Sequence, residues 1–258
     1  MKLQSGKNLA HANLIISKYI LEGVGNQIIN RKDGRKKRMK ALEITAKNSM
    51  AVLDRLNVKV TYDLCREDLF NRNYFMVCNH MSYLDILVLS SIRPAVFVTS
   101  VEMEKTFFLG DMAKLGGSFF VDRVNRRKMK DEVQALVDLL NDGFNVFIFP
   151  EGTSTNGEAM LPFKKSLFRV PFQTGYPILP IRLQYQTING GPVTKDNRDR
   201  ICWYDDMTFG PHFLQLMGIT ELSADLKYME PLDPADFSSH GELAERAYQI
   251  ISSQYQPI

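Results

Sequence analysis

The segment "VCNHMSYLDILVL", residues 77–89, sets Asn79, His80, Ser82 and Asp85 into an otherwise apolar run. These residue types suit acid–base chemistry, with an imidazole to accept a proton and a carboxylate to orient it. Their spacing constrains how. Residues five apart in a continuous helix are roughly 140° off one another, so His80 and Asp85 cannot share a helical face. They meet only if His80 lies in a strand-to-helix turn and the helix begins after it. Ser82 marks that beginning, because Ser-Tyr-Leu-Asp fits a capping box with Asp85 at the third helical position. Two readings stay open on these residues alone. In the first, Ser82 and Asp85 cap the helix while Asn79 and His80 satisfy turn backbone. In the second, Asp85 also accepts the imidazole N–H and fixes its tautomer, leaving the other ring nitrogen free as a base.

No protein nucleophile accompanies the pair. The chain has no GxSxG elbow, and Cys78 falls within a strand, where a small buried thiol belongs. His11, His80, His212 and His240 are scattered without metal-ligand spacing, so no metal is expected. A base without its own nucleophile points to a bound substrate hydroxyl as the attacking group. Other polar clusters follow apolar runs. In "FPEGTSTNG", residues 149–157, Gly152 and Thr153 can offer backbone amides to an anion while Glu151 contacts a hydroxyl; the alternative is a plain polar turn. "GGSFFVDR", residues 116–123, supplies Gly117, a strand and Arg123 at its end, either a surface ion pair or a phosphate contact. "GYPILPIR" carries Pro177 and Pro180 around a strand start, which predicts an edge or a rigid wall.

Elements that would position these groups alternate along the chain. Strands are predicted at 58–62, 74–78, 95–100, 118–122, 145–149, within "YPILPIRLQY" and in "RICWY". Helices are predicted after Asn79 through about Ser91, near Phe108–Leu115, over Lys128–Asn141 with Gly143 just beyond, and over His240–Tyr255. This pattern predicts an α/β fold: a single domain with a largely parallel or mixed central sheet flanked by helices. In such sheets ligands gather at the carboxyl ends of strands, where the polar clusters fall. Residues 57–258 form this domain. Residues 1–56 read as an N-terminal amphipathic helical extension, with Met39, Leu42, Ala46, Met50, Leu53 and Leu56 marking its second helix.

Hydrophobic residues make up 45% of the 258 and charged residues 24%, an ordinary globular balance. No stretch approaches the roughly 20 apolar residues of a bilayer span. The N-terminus lacks a secretory pattern, and three widely spaced cysteines suit a reducing compartment. Residues 1–60 hold 13 Lys and Arg against 4 Asp and Glu, most of the excess in "RKDGRKKRMK", residues 31–40. Just before it Ile16, Ile20, Val24 and Ile28 recur at fourfold spacing, widened by Leu14, Ile15, Tyr19, Leu21 and Ile29. The basic run is either a plain solvated face or a contact to an anionic surface; an apolar helical face followed by a polybasic turn fits a helix lying on an anionic membrane through residues 12–40. Nucleic acid is disfavoured because nothing aromatic interleaves the basic run.

Together and in this order the clusters resemble the glycerolipid acyltransferases, the lysophosphatidic acid acyltransferases and their HxxxxD relatives. "NHMSYLD" resembles the first motif, NHxSxxD; "GSFFVDR" the second, GxxFxxR; "FPEGT" the third; and "PILPI" the fourth. The motifs span residues 79–181. The resemblance implies an enzyme transferring a fatty acyl group from an acyl-CoA or acyl-carrier-protein thioester to a lysolipid hydroxyl, with no other cofactor. In phospholipid biosynthesis the acceptor would be 1-acylglycerol 3-phosphate, giving phosphatidic acid. His80 would be the catalytic base and Asp85 its orienting acid, with Asn79, Ser82, Gly117, Arg123, Glu151, Gly152 and Thr153 holding substrate. Localisation would be peripheral, on the cytoplasmic membrane face. One departure bears on the acceptor: many phosphatidate-forming members have Arg after "EGT", where this chain has Ser154. Another lysophospholipid or a lyso-aminolipid is the alternative, and a non-catalytic lipid-binding protein of the same fold is the alternative of a different class.

Overall fold

The computed structural model describes residues 2–122 and 127–258. Its sheet runs in the order β1 (Val58–Leu64), β8 (Leu222–Tyr228), β6 (Ile178–Ile188), β2 (Phe75–Cys78), β5 (Val146–Ile148), β3 (Val96–Ser100) and β4 (Phe119–Val121), with the short β7 (Gly191–Pro192) hairpinned onto β6. Strands β6, β2, β5, β3 and β4 are parallel, while β8 runs antiparallel to β6 and carries β1 parallel to itself. The expected mixed α/β sheet is present.

Strand β2 shows why the centre holds. All four of its residues are buried, because both faces of a mostly parallel sheet are covered by helices. Met76 and Cys78 join the core beneath α3 (Leu84–Ile92), whereas Phe75 and Val77 join the one beneath α6 (Met129–Asn141) and α9 (His240–Ser252). Amphipathic periodicity gives α6 its buried stripe of Val133, Leu136, Leu139 and Leu140. Gly143, at φ 88°, then turns the chain into β5.

Three expectations need correction. "RICWY" forms no strand: a short 3-10 turn at Arg198–Arg200 leads into irregular chain. The strand carrying Pro180 is central rather than at an edge. It is tolerated because the β8 ladder begins only at Ile181↔Tyr228, so Pro180 contributes its carbonyl, to Met229 N, where its missing N–H is not required. β8 itself, "LSADLKY", went unpredicted, as did α4 (Val101–Glu104), α7 (Arg169–Thr174) and α8 (Phe209–Met217).

The N-terminal residues form two long helices, α1 (Lys2–Ile29) and α2 (Gly34–Arg55), folded back on each other. Asp33 caps α2 by accepting from Lys36 N at 2.9 Å, and Asn26 crosses the hairpin to Lys37 O at 2.8 Å. Asn8, Ala12, Tyr19, Gly23 and Asn26 turn α1 inward, and the Tyr19 hydroxyl donates to Met112 O of α5 (Leu109–Leu115) at 3.0 Å. Tyr19 therefore leaves the predicted apolar face. Leu14, Ile20, Leu21, Val24, Ile28 and Ile29 remain exposed on the other side. On α2, Leu42, Ala46, Leu53 and Leu56 are buried as their spacing predicts, but Met39 and Met50 are exposed.

Candidate active site

Val77 of β2 is in register with Ile148 of β5, so the chains leaving these neighbouring parallel strands emerge side by side. One carries Asn79–Asp85 and the other Phe149–Thr155. Backbone bonds then stitch them together. His80 N donates to Glu151 Oε1 at 2.8 Å, and Thr155 N donates to His80 O at 2.9 Å. Asn79 anchors the first loop to β6, accepting from Leu183 N at 2.8 Å and donating to Leu183 O at 2.9 Å.

Within the first loop, Asp85 is fully buried and saturated. Its Oδ2 accepts from Met81 N at 2.7 Å, from Ser82 N at 3.0 Å and from His80 Nδ1 at 2.8 Å. Its Oδ1 accepts from the Tyr185 hydroxyl at 2.6 Å. Ser82 Oγ in turn accepts from Leu84 N at 3.3 Å, so the Asp85 half of the expected capping box forms, whereas α3 begins one residue late with Tyr83 at its N-cap and Ser82 meets Leu84 N instead of Asp85 N. Both readings of the sequence thus describe the same carboxylate: it caps a helix and holds the imidazole.

A carboxylate only accepts, so the His80 nitrogen facing it carries the proton. Nε2 is then bare, with no partner among the described residues. The ring stacks on Phe149 at 3.9 Å between centroids and 12° between planes, with the side chain 18% exposed. The imidazole is thus fixed in tautomer and orientation, and a ring held this way is able to act as a base through its bare nitrogen. Tyr185 cannot compete as an acid, since burial beside Asp85 pushes its hydroxyl well above the usual range. Cys78 is fully buried with its thiol pushed far up for the same reason, which removes it as a nucleophile.

Glu151 is only 2% exposed and gives both oxygens to backbone, Oε1 to His80 N and Oε2 to Leu161 N at 2.6 Å. Its place in the structure is to position the two loops; the hydroxyl contact expected of it has no open oxygen behind it. Asn79 and Ser82, 1% and 0% exposed, are likewise internal supports. Gly152 takes φ 81° and its N–H closes a turn onto Phe149 O at 3.0 Å, so that amide is not available to an anion. A Cβ at Gly152 would collide with Lys164 Nζ, because Lys164 lies across the turn. Thr153 is exposed, and its amide has no partner among the described residues. Ser154 donates to Trp203 O, and Trp203 N donates to Met81 O at 2.8 Å, so the irregular 201–208 segment bridges the two loops.

Two predicted residues stand apart. Gly117 precedes β4, at the opposite end of the parallel strands from His80, which follows β2. It packs on α2, where its φ of 78° and the nearness of Ala41 require a residue without a side chain. Arg123 lies outside the described residues. Conversely, Tyr185, Leu183, Thr155 and Trp203 carry no local motif and were missed. Only the pairing of β6 with β2 brings Tyr185 to a carboxylate a hundred positions earlier.

Burial pushes the Glu151 carboxyl from the usual 4.5 up to about 7, against the two backbone donors, with Asp85 adding repulsion. A carboxyl raised in the folded state contributes its stability in full below its unfolded value and loses it as pH rises through the folded one. Stability should therefore carry a falling component between pH 4.5 and about 7 that Glu151→Gln removes. The variant should also be weaker by about 1–3 kcal/mol, because its amide NH₂ meets a backbone N–H donor. Urea midpoints of both proteins across this window read the effect, and parallel curves would rule Glu151 out as its source.

A family model described as Acyltransferase matches residues 54–184. A lyso-ornithine lipid O-acyltransferase of Rhizobium meliloti is 34% identical over 203 residues, covering 76% of this chain and 68% of that protein. One of Rhodobacter capsulatus is 32% identical, covering 69% of this chain and 64% of that protein's length. A 1-acyl-sn-glycerol-3-phosphate acyltransferase of Neisseria meningitidis is 33% identical, covering 68% and 67%. The crystal structure of the 1-acyl-sn-glycerophosphate acyltransferase PlsC from Thermotoga maritima superposes with a TM-score of 0.69 over 98% of this chain and 93% of that one, at 21% identity, which speaks to the fold.

Proposed function

The chain belongs to the acyltransferase family, and from that premise we propose that it moves a fatty acyl group from an acyl thioester to the free hydroxyl of a lysolipid. The observation that carries this reading is the buried Asp85 carboxylate holding His80 Nδ1 at 2.8 Å, with Nε2 bare. Nε2 takes the acceptor's hydroxyl proton as its oxygen bonds to the thioester carbonyl carbon. Asp85 stabilises the imidazolium that forms. The C–S bond then breaks, and the departing sulfur receives the proton from Nε2. Acyl-CoA or acyl-carrier protein supplies the thioester.

For the acceptor we favour 1-acylglycerol 3-phosphate. Lys164 across Gly152 and the open Thr153 amide lie beside the His80 loop and suit a phosphate. A second reading, a lyso-aminolipid, rests on Ser154. Its hydroxyl is tied to Trp203 O and brings no charge to the turn, and two of the relatives are named for lyso-ornithine lipid.

Residues 12–40 are proposed to rest on an anionic membrane surface, the cytoplasmic face in the cell. α1 presents Leu14, Leu21, Ile28 and Ile29 to solvent while Asn8, Ala12, Tyr19, Gly23 and Asn26 face the protein, which leaves a row of large apolar side chains outside. Among the described residues no helix is long and apolar enough to cross a membrane.

The test is labelled acyl-CoA or acyl-carrier protein with vesicles carrying either 1-acylglycerol 3-phosphate or lyso-ornithine lipid. Transfer to one of them supports the function and selects the acceptor; thioester hydrolysis without transfer overturns it. Flotation on the same vesicles should be lost in Leu21→Asp/Ile28→Asp, and retention would remove the membrane role of α1.

A further inference from the structure

Beside the hairpin is a cavity of about 350 Å³ lined by Gln27, Lys37, Arg38, Lys114, Gly117 and Ser118, with Gly34 and Ala41 completing it. Among the described residues it holds three cations, Lys37, Arg38 and Lys114, and no carboxylate. Its walls come from three places: the α1–α2 hairpin, the end of α5, and the turn entering β4. That turn lies at the amino end of β4, whereas His80 follows the carboxyl end of the parallel strand β2, so the cavity is separate from the His80 and Glu151 loops.

Arg38 marks this as more than a solvated basic face. Exposed Arg35 donates twice to Asp142 O and buried Arg93 donates to Leu69 O and Arg72 O, whereas half-buried Arg38 and Arg55 keep unsatisfied donors, and of these two it is Arg38 that lines the cavity. Arg38 is half-buried against the Gly117 turn, its Cγ 3.7 Å from where a Cβ would stand there. Among the described residues its guanidinium makes no hydrogen bond or ion pair. Burial also pulls its pKa down, offset only in part by the charge of Asp142. A half-buried, unpaired fork of donors on a cavity whose described lining has no carboxylate, with two lysines around it, is the donor set that a tetrahedral oxyanion takes up. Lys114 has a loose exposed pairing to Glu104 at 3.6 Å, which an anion can displace at little cost.

We propose that the cavity between the α1–α2 hairpin and the Gly117 turn binds a phosphate group, carried either by a lipid headgroup or by a soluble phosphate ester. Occupancy links the hairpin to β4 through Arg38 and Lys37 on one side and Lys114 and the turn on the other. The inference is independent of the acyl-transfer reading, because binding is measured without turnover.

The test compares the full chain with Arg38→Gln and with Lys32→Gln, which removes one equally basic charge from the exposed run outside the cavity. In the first arm, thermal melting is followed against glycerol 3-phosphate at fixed ionic strength. In the second, flotation is followed on phosphatidylcholine vesicles containing phosphatidate. The expected result is saturable binding weakened about tenfold or more by Arg38→Gln, the scale of a charge-assisted hydrogen bond, with Lys32→Gln little changed. A response in the vesicle arm alone identifies a lipid headgroup; a response in both identifies any phosphate ester. Lys114→Gln should weaken binding from the other wall, which keeps the test decisive if Arg38→Gln fails to fold. No saturable binding in either arm, or equal losses in Arg38→Gln and Lys32→Gln, overturns the proposal.

Discussion

Replacing His80 with alanine should cut acyl transfer by about 10²–10⁴-fold, the usual worth of a positioned general base, in a protein that still folds. The ring contributes little to the fold that the backbone does not secure. His80 N and O remain bonded to Glu151 and Thr155, and Asp85 keeps Met81 N, Ser82 N and the Tyr185 hydroxyl. What is lost is the stack on Phe149 and the one nitrogen positioned to take a proton. Circular dichroism and melting should match the parent while single-turnover transfer collapses. Full activity in the alanine variant would place the chemistry elsewhere.

Asp85 should separate two effects that His80 cannot. In Asp85→Asn the amide oxygen can occupy the Oδ2 position and accept from His80, Met81 and Ser82 as before. The amide NH₂ then stands at Oδ1, where the Tyr185 hydroxyl can turn and accept. The bonds survive and the negative charge is gone. Activity should fall by about 10- to 100-fold, since hydrogen bonds to charged groups are worth about 1.5–3 kcal/mol, with only a small loss of stability. Asp85→Ala instead strands three buried donors and the half-buried His80 N–H, and should destabilise the fold by about 3–5 kcal/mol, read as a fall in the urea midpoint. If Asp85→Asn transferred acyl groups at the parental rate, the charge behind the imidazole would have no part in the reaction.

These two variants also mark where local sequence stops being informative. The Asp85 half of the capping box and the turn that brings His80 back to Asp85 lie within six residues, so spacing and helix geometry suffice to read them. The strands at 58–62, 74–78 and 145–149 were legible because β-branched and aromatic runs end in turn residues. β8 alternates cleanly but lies between polar segments that masked it. "RICWY" has strand composition, yet its backbone is drawn off to the His80 and Glu151 loops, where Trp203 meets Met81 and Ser154. Their motifs predict Glu151 and Asn79 as substrate contacts. Only the strand neighbours β5 and β6 reveal that their polar atoms are already occupied by backbone.

By itself the sequence determined the local chemistry: which imidazole, which carboxylate, the turn between them, and the mixed apolar and basic character of the first 40 residues. Tertiary structure alone decided that Tyr185 completes the Asp85 carboxylate, that Gly117 faces α2 rather than His80, and that Tyr19 leaves the apolar face of α1 for α5. The reason is physical. Helix phase and capping act over a few residues, whereas a buried group's partners are set by which strands pair and which faces pack, and those contacts join positions as far apart as Asp85 and Tyr185.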